Sequence, residues 1–236
     1  MKTMIAALAA CATTCIAKAD VVAYWAFPEA AQTPNYDIAW PIAASLGSGS
    51  LDADAPKYDG SPTPSVLQQG SMQFFAGSTV NAQPGFDAGQ GLSTRSDTQN
   101  RAQGKGVILT LDTTNYADLV LSFAERYSST GPIDVRIDYS TDGVTFFSWL
   151  SYATTRDGAF GAAPRVINLS AIDDIEGLGW VQIKIGFFHF TPGGNGAARL
   201  DNITIEGTFV PAPGSLALLG LGGLASLRPA RRRRAR

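Results

Sequence analysis

One histidine, His189, and two cysteines, Cys11 and Cys15, are the only imidazole and thiol groups in the 236 residues. Any triad or zinc site built on imidazole must therefore use His189. It shares strand parity with Val181, Ile183, Ile185 and Phe187 in an apolar run, which predicts a buried or capping histidine on the core face. Neither a Gly-x-Ser-x-Gly elbow nor a His-Glu-x-x-His pair occurs. Only four glutamates are present (Glu29, Glu125, Glu176 and Glu206), and none lies on an evident aromatic strand face where a glycosidase pair would work. These absences predict a protein that is not an enzyme.

Asp201 opens the last apolar run and shares parity with Ile203 and Ile205, so it is expected to point toward the core side. A carboxylate buried there needs hydrogen-bond donors or a cation. One expectation is a structural Ca²⁺ where the first and last strands meet, with Glu29 as second ligand. The other is hydrogen bonding to backbone amides or to Arg199. Trp40, Tyr58, Phe86, Trp149, Tyr152 and Phe160 fall in or near loops, where flat rings could stack on sugars.

The elements that must position these groups are strands throughout. Val21–Phe27, Met72–Ala76, Val107–Leu111, Leu119–Glu125, Val166–Leu169, Val181–Phe190 and Leu200–Phe209 are rich in branched and aromatic residues. Ile133, Val135, Ile137 and Tyr139 alternate with Asp134, Arg136, Asp138 and Ser140, a half-buried strand of period two. Asp142-Gly143 then turns a hairpin into Val144–Leu150. Residues 28–70 and the stretch Gly85–Gly106 are expected to be loops, the former with one or two short strands. Beyond a turn at Ala171–Glu176, no helical stretch is expected before residue 210. Many short strands in one domain predict an all-β, two-sheet antiparallel β-sandwich of the jelly-roll kind.

Both ends carry addresses rather than core. Met1-Lys2, the small apolar stretch Met4–Ala17 and Ala17-Lys18-Ala19 predict a signal peptide over residues 1–19, cleaved after Ala19. Leu8-Ala9-Ala10-Cys11 also mimics a lipoprotein box. At the other end, residues 210–236 begin with Val210-Pro211-Ala212-Pro213. An apolar run over 215–227 follows, containing Leu216, Leu218, Leu219, Leu221 and Leu224. As a helix it would rise only ~20 Å against a hydrocarbon core of ~30 Å. The tail 228–236 holds six arginines, among them Arg231, Arg232, Arg233 and Arg234, expected to stay cytoplasmic. An ordinary tail anchor and a basic nucleic-acid tail are the alternatives.

Between the ends, residues 20–209 form the expected ectodomain. It carries 10 basic against all 20 acidic residues, a net charge of −10, which argues against nucleic acid as a partner. Both cysteines leave with the signal peptide, so the mature domain has no disulfide and no thiolate site.

The order proline pair, Leu/Gly run and arginine cluster resembles the PEP-CTERM sorting signal, with Ala212 in place of the signature glutamate. Three internal stretches, Asn115–Ser122, Tyr139–Phe146 and Arg199–Ile205, look like a recurring ectodomain of PEP-CTERM proteins. That ectodomain is similar to galactose-binding-like and concanavalin-like jelly rolls. The resemblance implies passage through the Sec export machinery, transient membrane anchoring, processing by an exosortase, and a cell-surface or extracellular-matrix destination. It attaches no enzymatic activity. Two functions are expected from it and from the residues: a non-enzymatic surface protein, or a carbohydrate-binding module for extracellular polysaccharide on the same scaffold.

Overall fold

The computed structural model describes residues 19–27, 40–54, 72–95, 103–193 and 196–211. Ala17, Glu29, Tyr58, Ala212, Pro213, the apolar run and the arginine tail lie outside the described residues. Thirteen strands and one 3₁₀ turn are described, and no helix among these residues is long and apolar enough to cross a membrane.

The strands are β1 (Ala19–Trp25), β2 (Ile42–Ala43), β3 (Leu46–Gly47), β4 (Gly49–Asp54), β5 (Met72–Ala76), β6 (Gln90–Arg95) and β7 (Lys105–Leu111). Then come β8 (Tyr116–Tyr127), β9 (Pro132–Ser140), β10 (Phe147–Ala153), β11 (Arg165–Asn168), β12 (Val181–Phe190) and β13 (Ala197–Phe209). One sheet runs β11-β8-β13-β1-β3, with β6 also on β13 and β5 on β6; the other runs β10-β9-β12-β7-β4-β2. All pairings are antiparallel. From β7 to β13 the chain alternates between sheets except at the β9–β10 hairpin, and β1 closes against β13. That interleaving is a jelly roll.

The inner faces of the sheets form one core. Trp25, Leu51, Leu109, Leu121, Phe123, Ile137, Ile183, Ile185, Phe187, Ile203 and Ile205 are buried together within it. Val135 and Ile137 occupy the inward positions of β9, as the period-two pattern predicts. The outward Asp138 is also buried, paired with Arg136 at 2.8 Å.

Three local features depart from the sequence pattern. The stretch Gly85–Gly106, expected to be loop, contains β6, because Gln90–Arg95 finds partners in both β5 and β13. The hairpin strand β10 starts at Phe147 rather than Val144. Asp142 Oδ1 accepts the amides of Val144 (2.8 Å) and Thr145 (2.7 Å), and so takes both out of the ladder. Lastly, β13 is bulged: its register jumps between Asp201 and Thr204, with Asn202 at φ 49°. Core positions are Ala198 and Leu200 before the bulge and Ile203 and Ile205 after it, so parity reverses there.

Candidate functional site

The bulge corrects the expectation for Asp201. The residue is buried at 1 % exposure, but on the outer side of its sheet, because parity with Ile203 and Ile205 is broken at Asn202. The bulge also lies where the neighbour on one edge of β13 changes from β6 to β1. The segment Gly77–Gln83 bonds across this junction through side chains. Asp201 Oδ2 accepts the amide of Ser78 at 2.6 Å, and Oδ1 accepts that of Asn202 at 2.8 Å. Asn202 Nδ2 donates to the carbonyls of Ser78 and Val80, and its Oδ1 accepts from the Tyr24 hydroxyl at 2.6 Å. Asn81 Nδ2 donates to Asn202 O, Thr204 Oγ1 and Ser122 Oγ.

This is the hydrogen-bonded alternative, reached through backbone amides and not through Arg199. Burial pushes the Asp201 carboxyl up to about 7, against the two amides that favour its charge. Among the described residues, no cluster of three His, Cys, Asp or Glu could hold a metal ion. Arg199 lies on the same outer face but stacks on Phe75, 4.0 Å from the ring centre.

His189 departs from its predicted place as well. Its side chain is 66 % exposed, with φ 54°. The positive φ turns the ring to the outer side of its sheet, beside Asp134, and the next residue, Phe190, returns to the core. His189 Nδ1 lies 2.7 Å from Asp134 Oδ2, and its amide donates to Gln103 Oε1. Among the described residues, no hydroxyl is bonded to the ring to complete a triad.

A third group was not foreseen. It sits between the sheets at the edge where β11 faces β10. Leu119, Leu121, Phe123, Glu125 and Tyr127 share one parity on β8, so Glu125 points inward. Its Oε2 accepts the hydroxyls of Tyr127 (2.8 Å) and Tyr152 (2.7 Å). Its Oε1 accepts Nε (3.0 Å) and Nη2 (2.7 Å) of Arg165. The guanidinium also stacks on the Tyr152 ring at 4.2 Å. Trp149 Nε1 donates to Asn168 O, tying β10 to β11 along the same edge.

Burial raises both phenols well above the usual tyrosine range, and Glu125 adds to the effect, so both stay protonated donors. Burial lowers the Arg165 value, but the bonds to Glu125 outweigh it and hold the cation above its ordinary value. Glu125, Tyr127 and Arg165 line an open cavity of about 270 Å³, completed by Thr155, Asp157 and Pro164 and by small residues. With four donors on its two oxygens, Glu125 has little freedom to act as nucleophile or general acid. Its chemistry here is to hold Arg165 in place.

The described aromatics among those singled out from sequence do not come together. Trp40 and Trp149 pack on the core, Phe86 meets Tyr24 edge-on at 5.0 Å, and Tyr152 turns inward to Glu125. Among the described residues, the exposed rings are Phe147, Trp180 and Phe209, on separate elements. What could have marked Glu125 is its place in the Leu119–Tyr127 alternation, a charge where a core residue belongs. Arg165, forty residues away, gave no such signal.

No family model matches the chain, and no curated protein matches it. Solved structures with a similar fold include TmCBM61 in complex with β-1,4-galactotriose, at 8 % identity and a TM-score of 0.39, covering 66 % of this chain and 86 % of that one. The CBM22-1 xylan-binding domain of Paenibacillus barcinonensis Xyn10C aligns at 13 % identity and a TM-score of 0.39, over 59 % of this chain and 82 % of that one. The K1 cleaved adhesin domain of Lys-gingipain from Porphyromonas gingivalis W83 gives 14 % identity and 0.37, over 67 % and 98 %. Likeness at this level assigns no ligand to this chain.

Proposed function

We propose that this chain is an exported, non-enzymatic β-sandwich protein that binds extracellular carbohydrate in the Glu125–Arg165 cavity. The observation that carries the binding role is the fixed polar set around that cavity. Arg165 spends Nε and one Nη on Glu125, and a guanidinium has five donors, so others remain to meet a ligand. Asp157 and Thr155 add an acceptor and a hydroxyl, while Pro164 and the small residues leave room for a sugar ring. A ring of hydroxyls needs donors and acceptors together, held in place beforehand. Saturation of Glu125 supports binding rather than hydrolysis.

Export is supported by the two terminal addresses, by the acidic ectodomain and by its freedom from cysteine. In this reading the Sec machinery delivers the chain, the apolar run holds it briefly in the membrane, and an exosortase releases it near Val210–Pro213. The cell surface or surrounding matrix is the destination.

A glycan array probed with the purified protein tests the binding role. Wild type should bind a defined set of glycans, and Asp157→Ala and Arg165→Ala should each weaken that binding at least tenfold. Asp157 is exposed, so its substitution leaves the fold intact. A blank array, or binding untouched by both substitutions, favours a matrix protein with no ligand at this cavity.

A further inference from the structure

The outer face of the seven-stranded sheet carries a row of residues set side by side by register. Gln73 pairs with Ser93, Ser93 with Arg199, Arg199 with Arg126, and Arg126 with Phe160. Directly paired residues share a face, so all five lie on one side. Arg95 is two residues from Ser93 on β6, on the same side, and Phe75 is two residues from Gln73 on β5. Arg126 and Arg199, with Ser128, Gly158 and Ala197, enclose a small depression.

These arginines differ from the other described cations. Lys105 and Lys184 pair with Asp54, Arg136 with Asp138 and Arg165 with Glu125, while Arg156 donates to Ser129 O and Thr191 Oγ1. Among the described residues, no carboxylate pairs with Arg95, Arg126 or Arg199. Burial, then repulsion by Arg126 and Arg95, lowers the Arg199 value. In a domain with twice as many acids as bases, three cations gathered without a counter-charge cost stability. Beneath them, Gln73 Nε2 and Ser93 Oγ are buried without hydrogen-bond partners. Asp201, one step along β13, is already occupied by Ser78 and Asn202. Among the described residues, the face therefore has cationic donors and no carboxylate to match them.

We propose that this outer face is a second binding site, for the carboxylates of an acidic polysaccharide, with Arg95, Arg126 and Arg199 as its cationic residues. A planar guanidinium takes a carboxylate through two parallel hydrogen bonds, and a uronate polymer supplies one carboxylate on every sugar. Phe160 flanks the row beyond Arg126 and offers an apolar ring to a sugar, while Phe75 at the other side backs the Arg199 guanidinium. Adjacent strands lie about 4.8 Å apart, the order of one pyranose ring, so a polymer crossing the strands would bring successive acids to Arg199 and Arg126. The site is separate from the Glu125–Arg165 cavity and does not depend on it.

Affinity electrophoresis of the purified protein in gels containing polygalacturonate, dextran sulfate or neutral galactan tests this. Polygalacturonate should retard the wild type, and R126Q/R199Q should lose at least tenfold in affinity. The control K105Q/R156Q, with the same change in net charge, should keep affinity within twofold. Equal loss in the control would show a charge effect only and overturn the site. So would retention of full binding by R126Q/R199Q, or no retardation of the wild type by polygalacturonate. Retardation by dextran sulfate in its place would overturn the assignment to carboxylates.

Discussion

The Asp201 carboxylate accepts the backbone amide of Ser78, which lies 123 residues earlier in the chain, at 2.6 Å. One buried acid thereby fastens an outer segment to the last strand. Its carboxyl sits at about 7, above the ordinary 3.8, so the folded protein holds a proton that the unfolded chain releases. Folding then binds a proton between these values, and stability from this group falls as pH rises through that window. The benefit is complete below about pH 4 and gone above about pH 7. Melting temperatures of the wild type relative to Asp201→Asn should drop by several degrees between pH 5 and pH 8. A constant difference would mean that Asp201 is ionised throughout.

Asn81 shares the two N–H groups of its amide among three acceptors, at 2.7–3.1 Å, and holds φ at 63°. Asn81→Ala removes the donor and leaves a side chain that disfavours this backbone region. Unfolding in urea should show a loss of about 2–3 kcal/mol. Asn81→Gly relieves the backbone and should recover part of it, about 1 kcal/mol. If the two variants are equally stable, the backbone contributes nothing.

The fold was largely legible, the polar sites much less so. Strands such as β9 and β12 declare themselves because one face is apolar and the side-chain period is two. β6 was missed because Gly91, Ser93 and Thr94 carry no such pattern; its pairing comes from neighbours distant in sequence. Asp201 and His189 were misplaced for a related reason. Parity assumes a strand unbroken along its whole length. The bulge at Asn202 defeats it in one case and the positive φ of His189 in the other. Glu125 was visible as a carboxylate but not as a site, since Tyr152 and Arg165 reach it only through the closed fold.

His189 and Asp134 form a pair on the surface at 2.7 Å, with His189 two-thirds exposed. An exposed pair is worth about 0–1 kcal/mol. His189→Ala should lower stability by no more than that, and should leave glycan binding unchanged. Turnover of polysaccharide, ester, peptide or phosphoester substrates should be at background for both proteins. Activity in the wild type that disappears in His189→Ala, with the fold intact, would make this pair a catalytic one.

The terminal addresses predict processing. Among the described residues, Val210 is the last held by a backbone bond, its amide donating to Asn115 O at 2.8 Å, and Pro211 follows as exposed chain. In the native host, mass spectrometry of mature protein should find a new end between Val210 and Gly214. Deleting residues 228–236 should leave that end unmade. Extracellular protein still carrying Arg236 would contradict the sorting role.

Glu125 gives the sharpest test of how the sandwich edge is held. Glu125→Ala removes the acceptor for two buried phenols and a guanidinium in one step. Unpartnered donors in that setting cost about 1–3 kcal/mol each when fully buried. Arg165 is the most exposed of the three partners and can turn to water, so the total should come to about 3–4 kcal/mol. Glu125→Gln keeps one carbonyl oxygen for the phenols but sets an amide group against Arg165, and should cost about half as much. Arg165→Ala should cost least for stability, because the two phenols still satisfy Glu125, while weakening ligand binding most. Urea unfolding supplies all three values, and the order Ala, Gln, then Arg165→Ala is the prediction. If Arg165→Ala proved the most destabilising, the pair would be a structural clamp, and the cavity would lose the residue assigned to meet its ligand.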